Sequence, residues 1–415
     1  MKRTIKLAVA AAVALTSTAA FATNGDHLIG MGAKARGMGG VGIGMSHGAE
    51  TALSNPALIT TVKGTEISFG GTVFMPDVET NLGGGYSKSD ADLSVIPEVA
   101  IAQNLGNGLS LGIGMYGTAG MGTDYRDASG TASNMQMVTN LQLMQFAVPV
   151  AYKMGGFSIG IAPVLQYGSL DINYVTPMGA DSTTQGVAQD LGFGYIAGAA
   201  FSEEGLTVGA SYKSAIDMEY KGQLSEASVQ FGLNDPDGPG GVAPAGLSDN
   251  LEQPAEIGVG ASYTMDGHTL AVDYKQIQWA SAKGYKDFGW EDQNVYMIGY
   301  QYAQDTWALR AGYNYAKSPI KEHVGANPMT DYDGAVLNML NLLGFPAMVE
   351  QHYTIGGSYA FNKTTSLDLA YVYVPEATEK FDTTAMTMAM GGTTTTSIET
   401  KHSQDAVSFQ LNFAF

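Results

Sequence analysis

The feature that most constrains this chain is a period-two alternation that recurs from about Thr65 to the last residue. In one stretch, Phe157, Ile159, Ile161, Pro163, Leu165 and Tyr167 alternate with Ser158, Gly160, Ala162, Val164 and Gln166. Successive side chains of a strand point to opposite faces, so one face here is apolar with an aromatic at each limit. The other face is small or polar. Core-facing strands of soluble antiparallel sheets alternate too, but they do not normally run this far with aromatics at both ends. A strand of about 9–11 residues with such girdles is what a bilayer-spanning barrel requires.

The pattern repeats. Leu109, Leu111, Ile113 and Met115 form one apolar row, Leu191 through Phe201 another, and Trp307, Leu309, Ala311, Tyr313 and Tyr315 a third. Further runs lie near 66–75, 95–105, 141–153, 206–220, 254–263, 268–279, 293–302, 351–361, 365–374 and 402–415, which brings the total to fourteen. An even number is what a closed single-chain barrel needs. Short Asn, Asp and Gly turns, such as Gly106-Asn107-Gly108 and Asp266-Gly267, alternate with long polar loops such as Lys221 to Leu251. Short turns suit tight hairpins on the periplasmic side, and long loops face outside. The last strand, Val407 to Phe415, would be an aggregation-prone edge unless it closed on the first, near Ile67, Phe69 and Val73. The reading is an all-β fold, a fourteen-stranded antiparallel transmembrane β-barrel spanning 64–415.

Two segments precede the barrel. Lys2, Arg3 and Lys6 form a basic start, Leu7 to Leu15 an apolar run, and Ala20-Phe21-Ala22 a small-x-small cleavage site. Residues 1–22 therefore read as an export signal, because the apolar run is too short to span a bilayer. Residues 23–63 contain a Gly every few positions between Gly25 and Gly48, which disfavours both helix and strand. A segment of that kind, dotted with Met, Ile and Leu, has to be held by something around it. It reads as an N-terminal hatch plugging the barrel.

The chain has no Cys and a formal charge of −19, which argues against a disulfide framework and against nucleic acid as a partner. The Gly37 to Gly42 stretch fits a dinucleotide loop but lacks the strand and helix that such a loop needs. Gly44-Met45-Ser46-His47-Gly48 fits a nucleophile elbow, again without its α/β context. No catalytic residue, metal or cofactor is expected. His residues are scattered, and Asp235-Pro236-Asp237-Gly238 reads as a solvated turn before it reads as a weak calcium loop.

Three separated stretches carry a resemblance. They are Asn24 to Gly40 with Asn55-Pro56-Ala57, Trp279 followed by Gly289-Trp290-Glu291-Asp292-Gln293, and Leu309 to Tyr315 followed by Pro319-Ile320. Together they resemble the FadL/TodX family of outer-membrane channels for hydrophobic compounds. The resemblance implies a monomeric, hatch-plugged barrel in a Gram-negative-type outer membrane that takes up long-chain fatty acids or hydrocarbons. It assigns gating to Asn55, Pro56, Ala57, Gly37, Gly39 and Gly40. It also implies lateral release through a kinked third strand, here Leu109 to Gly122 with Gly112, Gly114, Gly117 and Gly120. The terminal Phe415 resembles the signal read by barrel-assembly machinery, and bilayer and lipopolysaccharide are the expected surroundings.

The inward faces are mostly small or apolar, with few charges: Lys213, Asp273, Lys275 and Arg310. Such a lumen suits an amphipathic solute better than the ions of a general porin. A small-solute porin and an outer-membrane lipase or esterase are the alternatives. Arg310 and Lys275 are candidates for a carboxylate head group, with an Arg310–Asp273 ion pair as the competing reading for Arg310. In the loop after strand eleven, Val336, Leu337, Leu340 and Leu343 share a helical face, with Asn338 and Asn341 away from it. Asp333 and Gly344 are expected to cap this external helix. Val336, Leu340 and Leu343 are candidates for the entry groove.

Overall fold

In a bilayer every strand N–H and C=O must find a partner within the protein, so alternating strands are stable only if the sheet closes on itself. The computed structural model describes residues 23–128, 135–175, 181–182, 186–233, 246–394 and 396–415. The expected export signal at 1–22 and the turn at Asp235–Gly238 lie outside the described residues. Strands β1 (Thr65–Asn81), β2 (Ser94–Gly106), β3 (Leu109–Asp124), β4 (Val138–Ala147 and Val150–Met154), β5 (Phe157–Val175), β6 (Ala188–Glu203) and β7 (Leu206–Lys213) form the first half of the wall. Strands β8 (Glu256–Met265), β9 (His268–Ile277), β10 (Gln293–Ala303), β11 (Trp307–Ala316), β12 (Gln351–Asn362), β13 (Thr365–Asp382) and β14 (Ser397–Ala414) complete it. All neighbours are antiparallel, and β14 returns to β1 with Phe413 opposite Ile67, Leu411 opposite Phe69 and Val407 opposite Val73.

The apolar rows face outward. Phe157, Ile159, Ile161, Leu191, Phe193, Leu309 and Ile355 are all exposed on the outer wall, where lipid covers them. Positive φ at Asn107-Gly108, Glu204-Gly205 and Asp266-Gly267 gives tight hairpins at one end, matching the strand twist. Aromatic pairs such as Phe157–Phe201 and Tyr302–Trp307, with ring centroids 4.7 and 5.6 Å apart, ring the same end.

One strand is shorter than its alternation suggests. The run 206–220 ends as a strand at Lys213. Ile216, Met218 and Tyr220 then fold inward over the rim, and all three are buried. Gly168, Gly192 and Gly194 of β5 and β6 leave room for them, since a Cβ at any of these would collide with those side chains. The alternation there reports burial against the wall rather than membership of it.

Residues 23–63 lie inside the barrel, with most of them buried. They contain helix α1 (Gly32–Arg36) and two 3₁₀ turns, Gly48–Leu53 and Pro56–Thr61. The outer mouth is filled by helices α2 (Leu224–Val229), α3 (Tyr332–Gly344) and α4 (Thr384–Ala389).

The hatch is seated on the wall through glycines. Asn55 accepts from the Ala57 N–H at 3.1 Å and donates to the carbonyls of Ile43 and Ala199 at 2.9 and 3.2 Å. A Cβ at Gly198 would lie 2.1 Å from the Asn55 Oδ1 atom, and one at Gly160 would lie 2.6 Å from the Ala57 nitrogen. Gly198→Val should therefore dislodge the Asn55 turn without disturbing the ladder. The expected result is a heat-modifiable, folded barrel whose ion conductance in planar bilayers rises well above that of the parent. An unchanged conductance would show that the turn tolerates displacement.

Candidate functional site

Three places in the barrel are candidates, and each is built from different elements. The first is the outer mouth. Helix α3 is buried on nearly all sides, with Ala335, Val336, Met339, Leu340, Leu342 and Leu343 in the core. The helix sits in the mouth rather than outside it. Thr123 and Thr400 donate to the carbonyls of Leu343 and Leu342 at 2.9 and 3.0 Å, so inward hydroxyls of β3 and β14 satisfy its C-terminal end. Asn338 and Asn341 do not face solvent, although the helical wheel suggests they should. The Asn338 amide donates to the carbonyls of His323 and Asp382, and Asn341 bridges the Trp290 indole N–H and the Phe288 carbonyl. They hold two loops and the end of β13 to the helix. The expected Asp333 cap is also displaced, because the residue at the cap position is Asp331, which makes no capping bond.

Two small apolar cavities lie beside α3. One, of about 20 Å³, touches Leu340, Gly344, Phe345, Phe288 and Leu224, and the other, of about 10 Å³, touches Trp290, Tyr285, Phe345 and Met121. Of the three candidate groove residues, Leu340 lines a cavity, whereas Val336 and Leu343 are packing residues of the same cluster.

Below the mouth, Trp279, Tyr285 and Trp290 stack around one another with centroids 4.6 to 5.1 Å apart. The hatch begins directly beneath them. Tyr285 and Gln253 both donate to the Asp26 carboxylate, and His27 bonds Gln253 at 2.8 Å. Gly25 abuts the Trp279 ring closely enough that a Cβ would meet it at 2.5 Å.

The second place is a central cavity of about 60 Å³ between hatch and wall. Its polar side holds Lys213, Lys275, Glu256 and His27, and its apolar side holds Leu28, Ile29, Ile43 and Met297. Lys275 and Lys213 share the Glu256 carboxylate at 2.8 and 3.3 Å. Burial holds the His27 imidazole below its ordinary pKa, and the Lys213 and Lys275 ammonium groups face the one carboxylate that lines the cavity. Glu256 was missed by sequence reasoning because it sits at the first position of β8, where inward and outward are hard to tell. Arg310 is elsewhere. It donates to Gln301 at 2.7 Å and Ser358 at 2.6 Å and lies 3.6 Å from Asp368. Its acid is therefore Asp368 and not Asp273. Asp273 instead accepts the backbone N–H groups of Gly42, Ile43 and Gly44 at 2.7 to 3.1 Å.

The third place is a break in the wall. The β2–β3 ladder runs from Gly106↔Leu109 to Glu98↔Tyr116 and stops there. Up to Met115 the residues of β3 alternate between outside and inside, but from Tyr116 to Asp124 both faces are buried. The strand has turned into the lumen. A bulge against β4 lies between Gly117 and Ala119, and the hatch takes the freed edge: His27 pairs with Ala119, and the Gly120 N–H donates to the Asp26 carbonyl at 3.1 Å. Above the break the ladder gives way to loop contacts, where Asp90 N–H meets the Asp124 carbonyl at 2.8 Å. Gly117 faces Ile96 so closely that a Cβ would approach its Cγ2 to 2.5 Å, and Gly114 lies against the Tyr116 ring. Gly112 packs on Pro149, so it belongs to the intact wall below. Thr118, the bulged residue, lines the central cavity.

Of the gating candidates, Asn55 to Ala57 rest on β5 and β6, whereas Gly37, Gly39 and Gly40 sit toward β11 and β12. Gly39 and Gly40 have φ of +69 and +90°, and Gly39 lies against the Tyr313 backbone while Gly37 abuts Gly356. At Gly44 to Gly48, Ser46 bonds Thr61 at 2.6 Å while His47 turns to the Val41 carbonyl at 2.7 Å. Serine and histidine do not pair there.

Residues 8–415 match the family described as outer membrane protein transport protein (OMPP1/FadL/TodX). The chain belongs to this family. It is an outer-membrane β-barrel channel for hydrophobic compounds. A long-chain fatty acid transport protein of Escherichia coli (strain K12) is 24% identical over 433 residues, covering 89% of this chain and 91% of that protein. Among solved structures, a Pseudomonas aeruginosa FadL homologue superposes with a TM-score of 0.69 at 16% identity, covering 94% of this chain and 100% of its own. The Pseudomonas putida toluene transporter TodX superposes at 0.64 with 18% identity, covering 93% and 99%. Those structures agree in fold, and the three sites above are features of this family member's own residues.

If the mouth cavity belongs to the path, a charge there should be felt by the solute. Leu340→Asp would bury an unpaired carboxylate against Phe288 and Phe345, at a cost of several kcal/mol. Binding of a hydrophobic ligand to whole cells should weaken at least about ten-fold, while heat-modifiable mobility of the barrel stays unchanged. Unchanged ligand affinity would remove α3 from the path.

Proposed function

We propose that a hydrophobic compound is captured among the apolar side chains of the outer mouth, passes the central cavity, and leaves sideways through the break between β2 and β3. The observation that carries this reading is the inward turn of β3 after Tyr116, with its edge given to the hatch. A solute leaving there enters the bilayer without crossing water, and each CH₂ kept from water is worth about 0.8 kcal/mol. The reading includes gating. A cavity of about 60 Å³ has room for only a few waters, so a long apolar chain passes only if the hatch shifts. The same filled lumen disfavours a general porin. The separate bonding of Ser46 and His47 disfavours a hydrolase, and no chemical step is assigned.

The central cavity favours an amphipathic solute with an anionic head. Lys213 and Lys275 share the Glu256 carboxylate, which places two ammonium donors at the cavity beside an apolar wall. The fatty acid transport protein of Escherichia coli has a substrate of that kind. Toluene, carried by the Pseudomonas putida relative, has no use for the lysines.

Two experiments follow. Replacing Gly117 and Gly120 with Val fills the space beside Ile96, and uptake should fall while surface binding persists. Normal uptake in a variant whose crystal structure shows an unbroken wall would defeat the lateral route. Replacing Lys213 and Lys275 with Met should lower long-chain fatty acid uptake roughly ten-fold or more, the equivalent of a lost charge-assisted hydrogen bond, and leave alkane uptake unchanged. Equal loss for both solutes would mean that the lysines serve the structure and not the head group.

A further inference from the structure

The break in the wall has a cause that glycine does not supply. Glycine permits a kink, but nothing about it forbids the next rung of a ladder. The ladder between β1 and β2 is regular from Thr65↔Gln103 to Phe74↔Ser94. One rung further, the Asn104 N–H donates to the Gly64 carbonyl at 2.8 Å. In an antiparallel strand successive residues turn their N–H and C=O groups to alternate sides. Even-numbered residues of β2 therefore face β1, and odd-numbered residues face β3. The close contacts agree: the Ile96 carbonyl lies against Gly71 of β1, and the Ile101 carbonyl against Gly112 of β3.

Pro97 is odd-numbered. Its nitrogen, which carries no hydrogen, lies on the β3 edge. The last rung of β2 with β3 is Glu98↔Tyr116, so the next would be Pro97 with Gly117. By the same alternation that rung is a hydrogen-bonded pair, and it is the first that β2 cannot complete. Toward β1 the ladder is unaffected, and Gly71 pairs with Pro97 normally. A proline inside a sheet is tolerated only where its bare nitrogen meets no partner strand.

We infer that Pro97 sets the lower edge of the lateral opening. By withholding one donor toward β3 it stops the wall from zipping past Glu98, and it thereby leaves Ala119 and Gly120 free for His27 and Asp26 of the hatch. Gly117 lets β3 bend at that point, and Pro97 keeps it bent. The Arg36 guanidinium of α1 pairs with Glu98, so the hatch is fastened to the last rung below the opening. The functional part of this inference rests on the proposed lateral route, but the geometric part does not.

The chain has no Cys, so a disulfide trap reports only the rung it is built into. With Pro97→Val the rungs Ile96/Thr118 and beyond become able to form. Ile96→Cys with Thr118→Cys should cross-link on mild oxidation in outer membranes about five times more in the Pro97→Val background than with Pro97 retained, the equivalent of one recovered hydrogen bond. Pro97→Ala serves as a second restoring variant, and heat-modifiable mobility reports the fold in every case. Equal cross-linking in folded barrels that retain Pro97 and in those carrying Pro97→Val or Pro97→Ala would overturn the inference. Uptake, measured without the cysteines, separates the two claims. Increased cross-linking with reduced uptake supports both. Increased cross-linking with normal uptake leaves Pro97 as the residue that shapes the wall and defeats the lateral route itself.

Discussion

Everything in this molecule depends on backbone hydrogen bonds having nowhere to go in a bilayer. An unpaired N–H or C=O in hydrocarbon costs several kcal/mol, so fourteen strands are stable only as a closed ladder from β1 to β14. The same rule makes any opening in the wall expensive. Beyond Glu98 and Tyr116 the donors and acceptors of β3 have lost β2, and they are met by the hatch at Ala119 and Gly120 and by the loop at Asp124. The hatch is thus more than a stopper. It supplies part of the pairing that the wall lacks.

The hatch itself has little core of its own. Its Gly-rich stretch approaches the wall at backbone distance: Gly39 on Tyr313, Gly44 on Ala261, and the Asn55 turn on Gly160 and Gly198. Its donors go outward too, three of them to Asp273 and the Arg36 side chain to Glu98. Hydrogen bonds to a charged group are worth about 1.5–3 kcal/mol each net of water, and these lie at separate points of the wall, so in the proposed route one part of the hatch is released while the rest stays fastened.

How much of this was legible in the sequence follows from the same physics. The alternation was readable because lipid imposes it residue by residue, and the rungs that join β14 to β1 at Ile67, Phe69 and Val73 follow from it. Burial inside the lumen obeys no such rule. Residues 214–220 alternate like a strand but fold over the rim, because Ile216 and Met218 find room over glycines on a neighbouring strand. Asn338 and Asn341 look like the wet side of a helix, yet they are buried because two loops and the end of β13 bring carbonyls and an indole N–H to meet them. Arg310 offered a cation without indicating which of the distant acids would face it. Pro97 was visible in a run otherwise read as a strand, and only the direction of its missing N–H, which needs the register, gives it meaning.

That register also explains how mouth and opening are joined. Asp26 stands between them. Its carboxylate receives Tyr285 and Gln253 from the floor of the mouth, and its carbonyl receives the Gly120 N–H at the edge of the opening. Tyr285 is packed against Trp279 and Trp290, and it borders one of the apolar cavities beside α3. In the proposed route a solute that enlarges that cavity on its lower side moves Tyr285. Asp26 must then lose a donor or follow it. If Asp26 follows, Gly120 loses its acceptor at the break while Asp273 still holds Gly42 to Gly44 on the far wall. Capture at the mouth and release at the side are then two ends of one short stretch of backbone, and the remainder of the hatch need not unfold for the solute to pass.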